Sequence, residues 1–310
     1  MNQFFTVDVL TVTVASGIAL ATPFLLAALG EVIGQRSGVI NLGVDGIMLL
    51  AAFATYYTAL RTGNLLLAVL AGAATGTVMG VVTALVSVTL KAEQGISGIG
   101  VYLFGLGFSA LLFQKLVGTP LPIATLPPVG IPLLEGIPVI GGMFFRQSLL
   151  VYLAFLLVPV VSFVLNRTTY GLKIRAVGEN PAAADSLGVS VARIRWCTLI
   201  IGSTFSGLAG ASLLMYGGIF QVNLTQAEGF IAVALVYFGA WRPVGVMGGA
   251  LLYGLVGVVI LTWKSLGIIP LNASDLAATA PAVITVLALL FLARRFRQPA
   301  ALGRPYEREG

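Results

Sequence analysis

Long apolar stretches that are almost free of charge dominate the pattern of hydrophobic and polar positions along the chain. A helix needs about 20 apolar residues to cross the hydrocarbon core of a bilayer. The pattern therefore predicts an all-α polytopic membrane protein with about nine transmembrane helices, within a range of eight to ten. The nine stretches are roughly 9–30, 40–60, 64–90, 94–114, 147–166, 196–218, 229–241, 244–263 and 276–293.

Two of these stretches differ in length from a standard transmembrane helix, and the first could be mistaken for a signal peptide. The stretch 64–90 is long enough to tilt, and 229–241 is short enough to be a half-helix that its upstream loop extends. The first stretch follows Asp8 and no basic residue, and its 22 uncharged residues exceed the apolar region of a signal peptide. It is therefore predicted to remain as a membrane anchor.

The basic residues predict the orientation, because loops on the cytoplasmic side carry an excess of Lys and Arg. With nine crossings and an outer N-terminus, 13 of the 17 basic residues fall on the inner side. The C-terminal tail, 294–310, is then cytoplasmic. The basic residues left outside are Arg61, Lys115, Arg146 and Lys264.

Composition narrows the functional classes. The chain of 310 residues is 58% apolar and 9% charged, with a mean hydropathy of +1.02, whereas soluble domains are about one quarter charged. It has no His and a single Cys, Cys197, which argues against a disulfide within the chain, the usual zinc and haem sites, and a histidine proton relay. The net charge of +6 lies in a few loops, so it reports topology rather than binding to nucleic acid.

The segment 118–142 contains six prolines and almost no charge. Because proline removes a backbone donor and fixes φ, the segment is predicted to be neither helix nor central strand. Two interpretations of this segment are possible. The segment is either an ordered outer cap that an external partner contacts, or a structural spacer.

The segment 177–188 carries the signals of a short helix in the basic loop 167–195. Asn180 is a favoured N-cap, Pro181 suits the first helical position, and Gly188 suits a left-handed stop. These residues predict a two-turn helix lying parallel to the membrane. It is either a surface helix in a basic loop or a compact, alanine-rich projection that enters a cleft on another protein.

The same segment resembles the cytoplasmic coupling segment of ABC-importer permeases of the branched-chain amino acid, simple sugar and nucleoside type. Further blocks in the same order resemble this family, and two of them are most similar to nucleoside-uptake permeases. The blocks are Leu29-Gly-Glu31, Gly38-Val-Ile-Asn41-Leu-Gly43-Val-Asp45-Gly46, Leu90-Lys91-Ala-Glu93-Gln94 with Ser97-Gly98, and Gly229-Phe230 to Trp241-Arg242-Pro243.

The resemblance implies partners and a coupling role. No Gly-x-x-x-x-Gly-Lys-Ser/Thr phosphate loop occurs in the chain, so ATP and Mg would be used by a separate cytoplasmic ABC ATPase, and this chain would bind no cofactor and catalyse no covalent reaction. A second related permease and an external solute-binding lipoprotein would complete the importer in a bacterial-type plasma membrane. The residues implied to couple to the ATPase are Arg175, Gly178, Glu179, Asn180, Pro181, Ala183, Ala184, Asp185 and Gly188.

Polar residues inside the membrane are costly and are therefore candidates for the solute path. Asp45 lies between Gly43 and Gly46, which indicates either an irregular entry into a helix that faces a cavity or a helix cap at the membrane interface. Glu228 and Gly229 precede an apolar run in a similar way. This likeness is either an inverted repeat with two broken helices or a coincidence.

Gln94 and Ser97, followed by Tyr102, Phe104 and Phe108, offer an amide, a hydroxyl and ring faces to an uncharged planar solute. The candidate path residues are therefore Asn41, Asp45, Gln94, Ser97, Phe104, Asn223 and Glu228. Small residues permit close helix packing, and this is the role predicted for Gly98, Gly100, Gly105, Gly107, Gly202, Ser203, Ser206, Gly207 and Gly210.

The leading hypothesis is a permease domain, 1–293, of an ATP-driven nucleoside importer. Simple sugars, branched-chain amino acids and riboflavin are alternative solutes. An ion-coupled secondary transporter is the alternative class, for which Asp45 is the one candidate carboxylate. In the tail, Arg294, Arg295 and Arg297 are predicted to anchor the chain at anionic membrane lipid, with an ATPase contact as the second reading.

Overall fold

The computed structural model describes residues 7–270, 276–277, 279–284, 287 and 297–307. Much of the predicted span 276–293 lies outside these residues, as do Arg294, Arg295 and Arg308. Within them the prediction of an all-α protein is confirmed. Six described helices are long and apolar enough to cross a membrane, so the count of nine stays a prediction.

Most helices follow one another with short connections, and residues 117–139 form a longer connection between α4 and α5. They are α1 (Val7–Arg36), α2 (Val44–Thr62), α3 (Leu65–Ala84), α4 (Gln94–Leu116), α5 (Ile140–Phe144), α6 (Leu149–Arg167), α7 (Thr169–Glu179), α8 (Pro181–Ser186), α9 (Val191–Gly217), α10 (Glu228–Phe238) and α11 (Pro243–Ser265). A π-helical turn, Leu85–Thr89, extends α3. The strands β1 (Pro128–Gly130) and β2 (Arg146–Ser148) form an antiparallel ribbon.

Helix α9 lies at the centre of the bundle, against α1, α2 and α3. Small residues permit these approaches: a Cβ atom on Gly30 would lie 2.5 Å from the carbonyl oxygen of Gly202, and one on Gly207 would lie 2.9 Å from Cα of Gly76. Gly210 packs equally tightly on the backbone of Met48. The packing role predicted for the α9 glycines is confirmed.

The bundle has two ends that differ in charge. We call the end that carries Arg36, Lys91, α7, α8 and residues 297–307 the basic end. There Arg36 Nε donates to the carbonyl oxygen of Trp241 at 3.1 Å, and Lys91 Nζ lies 3.0 Å from Glu307 Oε1. The basic residues predicted to lie outside are all found at the opposite end, close to the ends of α2, α4 and α11 and the start of α6: Arg61, Lys115, Lys264 and Arg146.

The proline-rich segment 118–142 is folded at the end opposite to the basic end. The Tyr56 hydroxyl donates to the carbonyl oxygen of Leu121 and accepts from its N–H, both at 3.0 Å. Ile123 N donates to the carbonyl oxygen of Gly218 at 2.8 Å. The prediction that this segment contains no helix is wrong only for its last three residues, 140–142, which begin α5. The strand β1 lies within the segment, and it belongs to a two-stranded ribbon, so it is not a central strand.

Side-chain caps set several helix starts at the basic end. Glu93 accepts from the N–H groups of Ile96 and Gly95, which holds the pKa of this exposed carboxyl below its usual value. Thr168 Oγ1 accepts from Gly171 N at 3.0 Å and begins α7, a helix that is not among the predicted elements. Ser190 caps α9, which therefore starts five residues before the predicted span.

Candidate transport and coupling sites

Two helix N-termini meet inside the bundle at Asp45. Its Oδ1 accepts from Gly229 N at 2.7 Å, and its Oδ2 accepts from Thr225 Oγ1 at 2.9 Å. The carboxylate is fully buried and satisfies a free N–H at the start of α10. Asp45 therefore caps α10 from a different helix.

The irregular entry into α2 is confirmed, because residues 37–43 are not helical and α2 begins at Val44. The alternative in which Asp45 caps its own helix is wrong. The N-cap position of α2 is Gly43, and it makes no side-chain cap hydrogen bond. The side chain that helps to shape this entry is Asn41, whose Oδ1 accepts from Gly43 N at 3.0 Å.

The turn before α10 is strained. Asn223, Gln226 and Ala227 have φ angles of 62°, 45° and 66°, in the left-handed region that residues other than glycine rarely adopt. Such strain costs about 1–3 kcal/mol per residue and persists only where the surroundings impose it. Here the hydrogen bond from buried Thr225 to Asp45 holds the turn in place.

Helix geometry places this junction near half the thickness of a bilayer. Helix α10 has 11 residues, which span about 16 Å at about 1.5 Å per residue, roughly half of a hydrocarbon core of about 30 Å. A second measure comes from α4, which begins at the basic end, where α10 ends. Gly46 packs against Tyr102, where a Cβ atom would lie 2.6 Å from Cα of Tyr102, and Tyr102 follows the start of α4 by eight residues, about 12 Å, which gives a similar depth.

An aromatic pair and an unpaired carboxyl oxygen border the junction. The rings of Tyr102 and Phe230 lie 5.3 Å apart, edge to face. Glu228 is half-buried, and its Oε2 has no hydrogen-bond partner among the residues that the structure describes. The junction therefore carries ring surface and a buried hydrogen-bond acceptor that lacks a described partner.

A second polar network lies closer to the basic end. Gln35 Nε2 donates to Glu31 Oε2 at 3.1 Å, and Trp241 Nε1 donates to Gln35 Oε1 at 2.9 Å. All three side chains are buried. The first predicted span ends at residue 30, and these residues are not among the predicted site residues, although the spacing of Glu31 and Gln35 by four residues puts them on one helix face.

The structure brings together most of the predicted path residues. Gln94 Oε1 accepts from Ile40 N at 3.0 Å, which ties α4 to the irregular segment 37–43, and Ser97 Oγ lies 3.2 Å from Ser87 Oγ. Asn223 is exposed in the strained turn. Phe104 lies apart from the others, 51% exposed on the outer face of α4 and stacked on Phe108.

Of the four α4 glycines that were predicted to pack, two contribute to this packing. Gly98 lies against Leu42 and Gly105 against Gly46, as predicted. The packing prediction is wrong for Gly100 and Gly107, because no described atom lies within 4 Å of a Cβ at either position. They lie on the same outer face as Phe104.

The predicted short helix at the basic end is confirmed as α8. Asn180 Oδ1 accepts from Ala183 N at 3.0 Å, Pro181 is the first helical residue, and Gly188 has a φ of 82°. Its outward face includes Ala183 and Leu187, and Leu187 is 84% exposed. Leu187 was not among the predicted coupling residues, although a large apolar side chain beside the stop glycine is a signal in the sequence.

The predicted coupling residues divide between two faces. Glu179, Asn180 and Gly188 are exposed with Ala183, whereas Arg175, Pro181 and Asp185 are half-buried. Gly178 and Ala184 are buried and face the bundle. These two residues therefore lie where they hold the segment in place rather than where a partner can touch them.

Gly178 packs directly on the backbone of the membrane bundle. A Cβ atom there would overlap the carbonyl oxygen of Arg36 at the end of α1. We expect Gly178→Ala to lower the free energy of unfolding by about 1–3 kcal/mol, the usual cost of overpacking, and to reduce transport. Thermal unfolding in detergent measures the first effect. Gly248→Ala is the control, because no described atom would crowd its Cβ, and an equal loss in both variants would contradict the contact.

A bundle of apolar helices with buried polar contacts at half its depth and a short soluble helix pair at one end is typical of a membrane transport subunit. The family model described as branched-chain amino acid transport system / permease component matches residues 13–293, and the chain therefore belongs to this family of ABC permeases. It is a multi-pass membrane protein. Its relatives are transport components and not enzymes.

Three relatives illustrate the likeness. The putative glucose ABC transporter permease protein TsgC13 of Haloferax volcanii is 42% identical over 81% of this chain and 77% of its own length. The guanosine ABC transporter permease protein NupQ of Bacillus subtilis is 31% identical, and the nucleoside ABC transporter permease protein NupC of Lactococcus lactis is 32% identical, each over 97% of this chain and 98% of its own length. No solved structure matches the chain.

Proposed function

We propose that this permease carries nucleosides through the junction of α2 and α10. The observation that supports the proposal is that the rings of Tyr102 and Phe230 and the buried carboxyl oxygen of Glu228, which lacks a described partner, belong to the same junction at half the bundle's depth. A nucleoside has a planar base for the rings and ribose hydroxyls for the carboxylate. The two relatives whose names specify guanosine and nucleosides match nearly the whole chain.

A simple sugar is the second candidate solute. The Haloferax relative, whose name specifies glucose, is 42% identical to this chain. A carboxylate also accepts hydrogen bonds from sugar hydroxyls, and an aromatic face packs against a sugar ring. The planar base of a nucleoside therefore distinguishes the two candidate solutes, because only a nucleoside has a flat ring that can stack on an aromatic side chain.

The coupling proposal is that the basic end faces the cytoplasm and binds a separate ABC ATPase through the exposed face of α8. The excess of basic residues at this end favours the orientation. A second permease subunit would complete the path, and an external solute-binding lipoprotein would deliver the solute. ATP and Mg belong to the ATPase in this scheme, and this chain binds neither.

Uptake by the reconstituted transporter tests the solute. Proteoliposomes that contain the permease pair and the ATPase, with the lipoprotein added, are assayed with labelled guanosine, uridine, glucose and ribose. ATP-dependent uptake of nucleosides alone supports the proposal, and uptake of glucose or ribose alone favours the second candidate. Uptake that persists without ATP and collapses with a protonophore would replace both with an ion-coupled secondary transporter.

The role of Glu228 is tested by Glu228→Gln. Glutamine keeps a carbonyl acceptor but removes the charge, and a hydrogen bond to a charged group contributes about 1–1.5 kcal/mol more than one to a neutral group, so we expect a roughly 5- to 15-fold loss in the uptake efficiency for the solute. Thermal stability should be unchanged, since the oxygen has no partner among the described residues. A drop in the unfolding temperature together with uptake would instead indicate a structural role, and Glu135→Gln on the exposed loop is the control.

The coupling face is tested by Leu187→Asp, which puts a charge on the most exposed apolar residue of the segment. We expect ATP-driven uptake to fall at least about tenfold while membrane insertion stays normal, because a docking contact that loses a buried leucine loses about 2 kcal/mol. Leu172→Asp on α7 is the matched control, being 59% exposed at the same end. A bulky residue at Ala184 would test folding instead, because Ala184 is buried. Normal uptake by the Leu187 variant would remove α8 from the docking contact.

A further inference from the structure

Residues 299–307, which we call the strap, cross the basic end and join two parts of the protein that are distant in sequence. Ala301 N donates to the carbonyl oxygen of Gly178 at 2.9 Å, and Gly303 N donates to the carbonyl oxygen of Gly38 at 3.1 Å. Ala301 is itself buried. Main-chain hydrogen bonds thus connect the end of α7 with the irregular segment that leads to Asp45.

Arg195 fixes the middle of the strap. Its side chain is 3% exposed, and its Nη1 donates to the carbonyl oxygen of Arg304 at 2.9 Å. The rest of the guanidinium lies beside Gly38, where a Cβ atom would be 3.0 Å from Nη2. Among the described residues only Nη1 of this buried guanidinium has a hydrogen-bond partner, so Arg195 fixes the strap at a single carbonyl group.

The far part of the strap reaches α8. The Tyr306 hydroxyl donates to Asp185 Oδ2 at 3.2 Å, and Glu307 pairs with Lys91. A groove of about 530 Å³ separates the two segments, with Asn180, Ala182 and Ser186 on one wall and Pro305, Tyr306 and Glu307 on the other. The carboxylates of Asp185 and Glu307 border it, that of Glu307 in its ion pair with Lys91, and no Lys or Arg is among its lining residues.

We propose that the strap and α8 form one composite docking surface, whose acidic groove receives a lysine or arginine side chain of the ATPase. The inference rests on the proposed coupling role of α8 and adds a second docking element and the charge of the partner residue. Complementary charges at an interface steer association and fix its register. An ATPase seated on both walls would also hold the strap against Gly38, the first glycine of the segment that leads into α2.

Site-directed cross-linking tests the composite surface on the assembled transporter. In a Cys197→Ser background, a photoactivatable label is attached through Ser186→Cys, Pro305→Cys or, as a control, Leu172→Cys. We expect the ATPase to be captured from positions 186 and 305 and not from 172. Capture from 186 alone would overturn the strap as a docking element while leaving the coupling role intact, and capture from neither position would overturn the coupling role itself.

Charge substitutions test the groove. We expect Glu307→Gln to weaken ATPase binding about fivefold at low salt, with the difference shrinking at high salt, because exposed charges are screened. Lys91→Gln breaks the same ion pair but leaves the carboxylate in the groove, so it should not weaken binding. Equal weakening by both variants would attribute the effect to the ion pair, and unchanged binding by the Glu307 variant would remove the acidic groove from the interface.

Discussion

Gly229→Ala is expected to abolish transport and to destabilise the protein. The added Cβ would lie 2.5 Å from both N and Cα of Asp45 and 2.6 Å from its Cβ. These are mainly backbone atoms of α2, so they cannot rotate away as a flexible side chain would. Relief requires α10 to move from α2, which breaks the 2.7 Å hydrogen bond between Gly229 N and Asp45.

The balance of free energies favours this outcome. Alanine in place of glycine within a helix stabilises it by about 1 kcal/mol at most. The overpacking costs about 1–3 kcal/mol, and the lost hydrogen bond to a charged acceptor costs about 1.5–3 kcal/mol more. Destabilisation should therefore prevail, and the two helices should separate where the solute is proposed to pass.

Thermal unfolding in detergent and ATP-driven uptake measure the two effects. Gly100→Ala is the matched control, because it also lies in a membrane helix but no described atom would lie within 4 Å of its Cβ. We expect the control to transport normally. An alanine at 229 with normal stability and uptake would show that α2 and α10 do not need this close approach.

Local signals in the sequence predicted much of the fold. Charge-free apolar stretches marked the helices, and the start and stop of α8 followed from Asn180, Pro181 and Gly188, because caps act within a few residues of themselves. The short stretch at 229–241 was recognised as a half-helix because its length could be compared with a fixed bilayer thickness. These features depend on neighbours in sequence.

The features that the sequence did not predict depend on partners distant in sequence. Asp45 and Thr225 are separated by 180 residues, and nothing near Asp45 indicates that it caps α10 rather than its own helix. The strap contacts Gly178 and Gly38 through main-chain atoms, which leave no residue-type signal. The network of Glu31, Gln35 and Trp241 also depends on a distant partner, because Trp241 lies 206 residues from Gln35.

These long-range contacts form a continuous connection between the two candidate sites. Gly178, at the end of α7, packs on the carbonyl of Arg36 at the end of α1, and the irregular segment 37–43 then leads directly to Asp45. The connection is short and mostly backbone, so a displacement of α8 can reach the junction without passing through flexible side chains. A demonstration of coupling requires variants at both ends, because contact alone is not coupling.

Asp45→Leu is expected to be the most destabilising single substitution at the junction. Leucine has a similar size but accepts no hydrogen bond, so Gly229 N–H and the Thr225 hydroxyl both lose their acceptor in a buried site. Each unsatisfied buried group costs about 1–3 kcal/mol, which gives a total of about 2–6 kcal/mol. Without its cap, the strained turn at 223–227 should relax, and uptake should be lost.

Thr225→Val separates the two hydrogen bonds, because valine keeps the shape of threonine and removes one donor. In the wild-type background it should cost about 1.5–3 kcal/mol, whereas in the Asp45→Leu background it should cost nothing or stabilise, since it removes a hydroxyl that already lacks its acceptor. The free energies of unfolding of the four proteins form a double-mutant cycle, measured by thermal or denaturant unfolding in detergent. Additive losses would mean that Asp45 and Thr225 act independently, and the hydrogen bond between them would then not explain how the strained turn is held.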